Sequence, residues 1–344
     1  MTWGEGRGAQ RILLAIGLFA ALVAAAFAAH SSASAKHGLA RAEAVQEQNT
    51  DRLLARGKVA GTAVSEDGSG QAVIVVFTTR RGISVPNSLG GVPVDVEVTG
   101  PISSMQASPK RGPSGIDPTA RFTRPVPIGV STGNAGECSA GTISARVKSG
   151  GNVYALSNNH VYALENSAQL GSQVMQPGLY DTGCAYSSDN VIGTLAKFVR
   201  IDFSDSANNV VDGAIASTTT ANLGNSTPSN GYGTPSSTTR AAAIGLAVQK
   251  YGRTSSLTQG QVTDVNAILK IGYSSGTARF VNQVVVQSKK PFIKAGDSGS
   301  LLVSNDSSRN PVGLLFAGDS SGKYAIANPI GAVLSQLGVT IDGS

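Results

Sequence analysis

Apolar and polar positions alternate in four different textures along the chain. Met1 to Arg11 carries Arg7 and Arg11, Ile12 to Ala29 is an unbroken apolar run, and Ala33-Ser34-Ala35 follows as a small-residue cleavage pattern. Residues 1–35 therefore read as an export signal. The run is long for a signal and short for a spanning helix, which needs about 20 apolar residues, so an uncleaved N-terminal anchor is the alternative. Gly38 to Arg56 spaces Leu39, Ala42, Ala44, Val45, Leu53 and Leu54 among charges and predicts a helix. Val59 to Val64 and Gln71 to Thr79 predict strands on either side of a hairpin signal, Asp67-Gly68-Ser69-Gly70, and Ile83 to Leu89 leads to a further strand at Val92 to Val98. Residues 36–100 thus form a small α/β module. Residues 101–126, rich in Pro, Gly, Ser and Arg, read as a linker.

From Pro127 onward the texture is one of short runs of Val, Ile, Ala, Tyr and Phe, separated closely by Gly, Asn, Ser and Asp. Such a pattern predicts an all-β sandwich or barrel. The polar stretch Asn222 to Thr239 divides it into halves of similar length, 127–221 and 240–340, so two β units joined by a surface connection are expected.

Composition narrows the function classes. A hydrophobic fraction of 41% with 42 glycines in 344 residues describes a globular, loop-rich chain with material for a sizeable core. The net charge of +6 lies mostly upstream, since residues 126 to 344 hold fourteen Lys and Arg against twelve Asp and Glu. A near-neutral body without a basic stripe argues against nucleic acid as partner. Cys138 and Cys184 are an even set in an exported chain, with one intramolecular pairing open to them and two buried free thiols as the alternative. Histidines as scattered as His30, His37 and His160 make no metal site with them.

Three segments carry candidate chemistry. Val153 to His160 is a strand that ends in polar residues and a histidine; Val210 to Ala216 places Asp212 inside an apolar run; Gly296-Asp297-Ser298-Gly299-Ser300 precedes the strand Leu301 to Val303. A serine hydroxyl needs a positioned base, and His160 is the one histidine in the region that folds with Ser298. His160 would take the Ser298 proton and return it to the leaving group, while a buried Asp212 fixes the imidazole tautomer. Asp202 and Asp205 are alternatives, but the apolar neighbours of Asp212 suit it to burial. Gly296 allows the sharp turn that lets the N–H groups of Gly296 and Ser298 converge on an oxyanion, each worth roughly 3 to 4 kcal/mol of barrier.

Taken together, in the chain order His, Asp, Ser, these segments resemble the chymotrypsin-like, trypsin-fold serine proteases of the bacterial type over about Pro127 to Leu337. Cys138 to Thr142 is similar to the family's strand before the histidine, and Val248 to Val262, with Gly252-Arg253-Thr254, to its second-barrel strand pair. The resemblance implies a double antiparallel β-barrel at 127–344, with His160 and Asp212 from barrel one, Ser298 from barrel two, and an oxyanion hole at Gly296 and Ser298. It implies an exported endopeptidase acting on protein or peptide substrates without metal or organic cofactor, with no nucleic-acid partner and no membrane contact beyond an uncleaved N-terminal segment. Val161 stands where many members have a cysteine, which makes Cys184 the substitute partner of Cys138. Phe292-Ile293-Lys294-Ala295 offers no carboxylate to a basic substrate side chain, so trypsin-like cleavage is not expected. Asp297 pairs either with a new amino terminus or with an internal group, and 36–100 is either an accessory module or a pro-region. The competing functions are a catalytically silent binding protein of the cell envelope and a serine esterase.

Overall fold

The computed structural model describes residues 37–104, 115–204 and 206–344. The proposed signal at 1–35 lies outside them, and among the described residues no helix is long and apolar enough to cross a membrane.

Two curled, mainly antiparallel sheets form the body, in the double-barrel arrangement expected of the trypsin-like fold. The first has eight strands, seven of them between Ser131 and Thr218 and the eighth, Thr340–Ile341, pairing with Ala145–Ser149 at one edge. Its interior holds Ile128, Val130, Ile143, Ala155, Val174, Ile192 and Leu195. The second sheet includes Ala247–Gly252, Ser256–Tyr273, Gly276–Gln287, Leu301–Ser304, Pro311–Asp319 and Tyr324–Pro329, packed around Val248, Val262, Val286, Phe292 and Leu302. A third apolar cluster joins the two, with Val147, Leu156 and Ile215 meeting Leu301, Leu314 and Val333. Val333 comes from the helix Ile330–Leu337.

The module at 36–100 does not stand apart from the second barrel. Strand Val59–Glu66 pairs antiparallel with Ser256–Tyr273, with Gly61 opposite Leu269 and Thr62 opposite Ile268. A side chain at Gly61 would meet Leu269 Cδ2 at 2.3 Å and the Ile268 carbonyl at 2.5 Å, so glycine is needed for this close approach. Strand Ala72–Thr78 pairs next to it and is apolar almost throughout because both faces are covered. Val73, Val75 and Phe77 face the barrel, whereas Ile74 and Val76 face the helix at 37–54. That helix buries Ala42, Gln46, Thr50 and Leu53 along one side. Gln46 donates to Thr62 Oγ1 at 3.0 Å and to the Asn266 carbonyl at 2.9 Å, tying helix to barrel.

The stretch 101–126 is likewise more than a linker. Ile102–Ser104 forms a strand, parallel to Ile271 and Gly272 on one side and antiparallel to Ala317–Asp319 on the other. Ile102 is buried among Phe280, Phe316 and Leu269, a sufficient apolar reason for so short a strand to settle there.

Candidate active site

The first barrel delivers two of the three candidate residues. Strand Asn152–Ser157 ends at Asn158, and one turn of helix, Asn159–Tyr162, carries His160. Asp212 sits just before strand Ala214–Thr218, which pairs with Asn152–Ser157. His160 Nδ1 lies 2.6 Å from Asp212 Oδ2, and the His160 main-chain N–H donates to Asp212 Oδ1 at 3.2 Å. His160 is 1% and Asp212 0% exposed, so this contact is sheltered from water. The Asp212 main chain is fixed from both barrels: Asn158 Nδ2 donates to its carbonyl at 2.7 Å, and its N–H donates to Asn328 Oδ1 at 3.0 Å. Asp202 accepts the Ser204 N–H at 2.8 Å and has no hydrogen bond to His160.

Ser298 comes from the second barrel, in the turn before Leu301–Ser304. Gly296 and Gly299 have φ of +96° and +93°, conformations that favour glycine. Both are also crowded, since a Cβ at Gly299 would meet the Thr142 carbonyl at 2.2 Å and one at Gly296 would meet Thr254 Oγ1 at 2.5 Å. The turn is pinned to the first barrel by Thr142, whose N–H donates to the Ser298 carbonyl at 2.8 Å and whose hydroxyl donates to the Gly296 carbonyl at 2.9 Å. The turn's own hydrogen bonds use the N–H groups of Asp297, Gly299 and Ser300.

Ser298 Oγ lies 3.4 Å from the Phe316 carbonyl oxygen, and His160 Nε2 has no hydrogen bond among the described residues. The histidine and aspartate are joined; the serine and histidine are not. Phe316 begins the edge along which Ile102–Ser104 runs, Ser104 being opposite Ala317. Ser298 is 0% exposed, as buried as His160 and Asp212.

Asp297 pairs internally. Lys250 Nζ is 3.1 Å from its Oδ2, with both side chains 0% exposed. The same carboxylate accepts the N–H groups of Thr254, Ser255 and Lys294 and the Ser255 hydroxyl. Burial lowers the pKa of the Lys250 ammonium, and the Asp297 charge works against that. Beside it, Arg253 forms a two-pronged contact with Asp181 of the first barrel and lies 5.5 Å from the Tyr180 ring centre. A disulfide joins Cys138 to Cys184, 46 residues apart, in the loop that holds Asp181. Phe292 and Ile293 are buried, their N–H groups bonded to the Gly322 carbonyl, and the nearby Asp319 carboxylate is taken up by Ser321 and Tyr324. Among the described residues no cluster of His, Cys, Asp and Glu suits a metal ion.

No protein-family model matches the chain, and no curated protein matches it. In structure the chain is similar to bacterial chymotrypsin-like serine proteases. A glutamic-acid-specific serine protease is 23% identical, with 63% of this chain and 100% of that one covered at a TM-score of 0.45. Thermobifida fusca protease A is 19% identical, covering 64% and 100% at 0.45. Cellulomonas bogoriensis chymotrypsin is 20% identical, covering 64% and 99% at 0.43.

Lys250, Asn328 and Tyr273 reach the site from segments with no sequence signal of chemistry. Tyr273 ends the strand Ser256–Tyr273 and donates its hydroxyl to Asp212 Oδ2 at 2.9 Å.

Proposed function

We propose that the chain is an exported serine endopeptidase that hydrolyses peptide bonds through Ser298, His160 and Asp212 by way of an acyl-enzyme. The observation that carries this reading is the buried 2.6 Å contact of His160 with Asp212, which leaves Nε2 without a hydrogen bond among the described residues. A carboxylate only accepts, so a neutral His160 keeps its ring proton on Nδ1 and holds a lone pair at Nε2. Ser298 Oγ turns from the Phe316 carbonyl to Nε2, gives up its proton there and attacks the substrate carbonyl. The oxyanion that forms is met by the N–H groups of Gly296 and Ser298. His160 passes the proton from Nε2 to the leaving amine, and water, deprotonated in turn by His160, releases the acid. The scheme calls on no metal or organic cofactor. The apolar stretch after Arg11 supports export.

The N-terminal region through Ser104 serves as a built-in inhibitor. A peptide that adds a strand along Ala317–Asp319 meets an edge already paired with Ile102–Ser104. This segment has to leave before an extended substrate can reach Ser298. The uncharged Phe292-Ile293 stretch supports cleavage after residues other than Lys and Arg.

A fluorophosphonate probe tests the assignment, applied to the full chain before and after cutting at a protease sequence inserted between residues 105 and 114. Labelling of the cut chain is expected, with loss in Ser298→Ala and His160→Ala, since removing either member of such a triad costs about a millionfold in turnover. A second reading, a silent protease fold that binds peptides at the envelope, draws on the missing Ser298–His160 hydrogen bond. A cut, folded chain that never labels would establish that reading instead.

A further inference from the structure

We propose that Tyr273 is a positioning residue of the catalytic site, holding the Asp212 carboxylate from the opposite barrel. The proposal rests on the protease reading above and adds a fourth member, which acts through Asp212.

The Asp212 carboxylate accepts three hydrogen bonds, from the His160 main-chain N–H on Oδ1 and from His160 Nδ1 and the Tyr273 hydroxyl on Oδ2. Histidine and tyrosine thus share one oxygen. His160 approaches from barrel one, whereas Tyr273 crosses from the end of a barrel-two strand. Burial, then the Asp212 charge, pushes the Tyr273 phenol well above its ordinary range, so it keeps its proton and acts only as a donor to the carboxylate.

The tyrosine is itself held in place. Its ring stands edge-on to His160 at 5.9 Å and to Phe203 at 5.7 Å, and stacks on Phe280 at 6.2 Å. Directly after it, the N–H groups of Ser274 and Ser275 donate to the two oxygens of Glu165 at 3.1 and 2.7 Å. Glu165 follows His160 by five residues on the first barrel, so the hairpin tip that bears Tyr273 is bolted to the same loop region as the histidine. Burial raises the Glu165 carboxyl, but hydrogen bonds from Ser275 and Ser274 outweigh it and hold the group below its usual range. Just before the tyrosine, Ile271 and Gly272 pair with Ile102 and Ser103, so the segment that lies along the substrate edge also borders this contact.

The chemical consequence has two parts. A fixed Oδ2 fixes the imidazole plane, which decides where Nε2 points. A donor on Oδ2 also disperses part of the carboxylate charge that would otherwise stabilise imidazolium. Removing the hydroxyl therefore loosens the base and makes it more easily protonated. The ionisable groups around the imidazole are Asp212, Tyr273 and, behind the hairpin tip, Glu165.

The test is the pH dependence of the fluorophosphonate labelling rate on the cut full chain, comparing wild type with Tyr273→Phe. The variant is expected to label roughly 10- to 100-fold more slowly, the usual scale for a hydrogen bond to a charged group, with the acidic limb of its profile moved to higher pH. A merely structural tyrosine would lower the unfolding midpoint without moving that limb. A Tyr273→Phe profile that superimposes on wild type, or a slower one with an unmoved limb, overturns the proposal and leaves the protease reading intact. A wild type that does not label removes the protease reading itself, and this proposal with it. Should Tyr273→Phe not fold, Glu165→Gln carries the same test through the hairpin tip: a smaller shift of the limb in the same direction is expected, and an unmoved limb overturns the proposal.

Discussion

The two barrels contribute to the site in unlike ways. The first takes its edge strand, Thr340–Ile341, from beyond the second barrel and carries His160 and Asp212 in mutual contact. The second is not finished by its own strands. Its sheet continues through Ser256–Tyr273 into Val59–Glu66 and Ala72–Thr78, and the same strand ends in Tyr273. His160 and Asp212 flank paired first-barrel strands, with Asp212 also held from the second barrel by Asn328 and Tyr273, whereas the barrel that carries Ser298 shares its sheet with the N-terminal module.

The largest effect falls on both halves equally. Ser298→Ala and His160→Ala, one from each barrel, should each abolish labelling, and the double variant should be no worse, because members of a triad act as a unit. An additive loss would separate the halves. Next comes the ion pair of Lys250 with Asp297, beside Ser298. Lys250→Met leaves Asp297 buried and uncompensated, and the expected cost is about 3–5 kcal/mol in denaturant unfolding. Adding Asp297→Asn should recover stability because both charges are then gone. An unchanged midpoint in the single variant would show that the turn's N–H donors alone hold Asp297.

Asp264 is the counter-case on the same barrel, buried at 1% exposure, accepting from the Thr263 hydroxyl and with no ion pair among the described residues. Burial, together with nearby Glu97, moves its pKa up to about 7. Glu97, from the module strand Val92–Val98, is likewise raised by burial and accepts from Gln287 Nε2 at 3.0 Å. Because the folded-state pKa is higher than the unfolded one, folding binds a proton between about pH 4 and pH 7, and stability falls as pH rises through that window. The fall is up to about 4 kcal/mol, from roughly three pKa units at 1.36 kcal/mol each. Asp264→Asn should flatten it, with a higher melting temperature than wild type at pH 8 and little difference at pH 4. Equal slopes in the two proteins would rule out this carboxyl as the source. The smallest effect is expected in barrel one, where replacing Cys138 and Cys184 by serine should cost about 2–4 kcal/mol in thermal or denaturant unfolding. Labelling should persist below the unfolding transition, because the bridge does not touch His160 or Asp212.

Different parts of the molecule were legible to different degrees. His160, Asp212 and Ser298 carry their own signals: a histidine at a strand end, a carboxylate in an apolar run, and a serine between glycines. The strands at Val59 to Val64 and Val92 to Val98 were equally readable from β-branched runs. The readings of 36–100 as a small α/β module and of 101–126 as a linker left open that both pair into the sheet of the second barrel. An edge pairing between Gly61 and Leu269 leaves no local trace other than a glycine, and Ile102–Ser104 is too short to show a period. Lys250 and Tyr273 were missed for a related reason: each lies in an ordinary strand, and only its partner 47 or 61 residues away gives it a task.

By itself, the sequence determined the mostly-β body and marked His160, Asp212 and Ser298 as candidates, because strand periodicity and turn chemistry are local properties. The tertiary structure alone decided that Asp297 would be satisfied by Lys250, that Asp212 would be held by Tyr273 from the far barrel, and that residues 102–104 would lie along the edge leading to Ser298. Those outcomes follow from the burial of polar groups, which must find partners wherever the fold brings them, and that placement is set by packing over the whole chain.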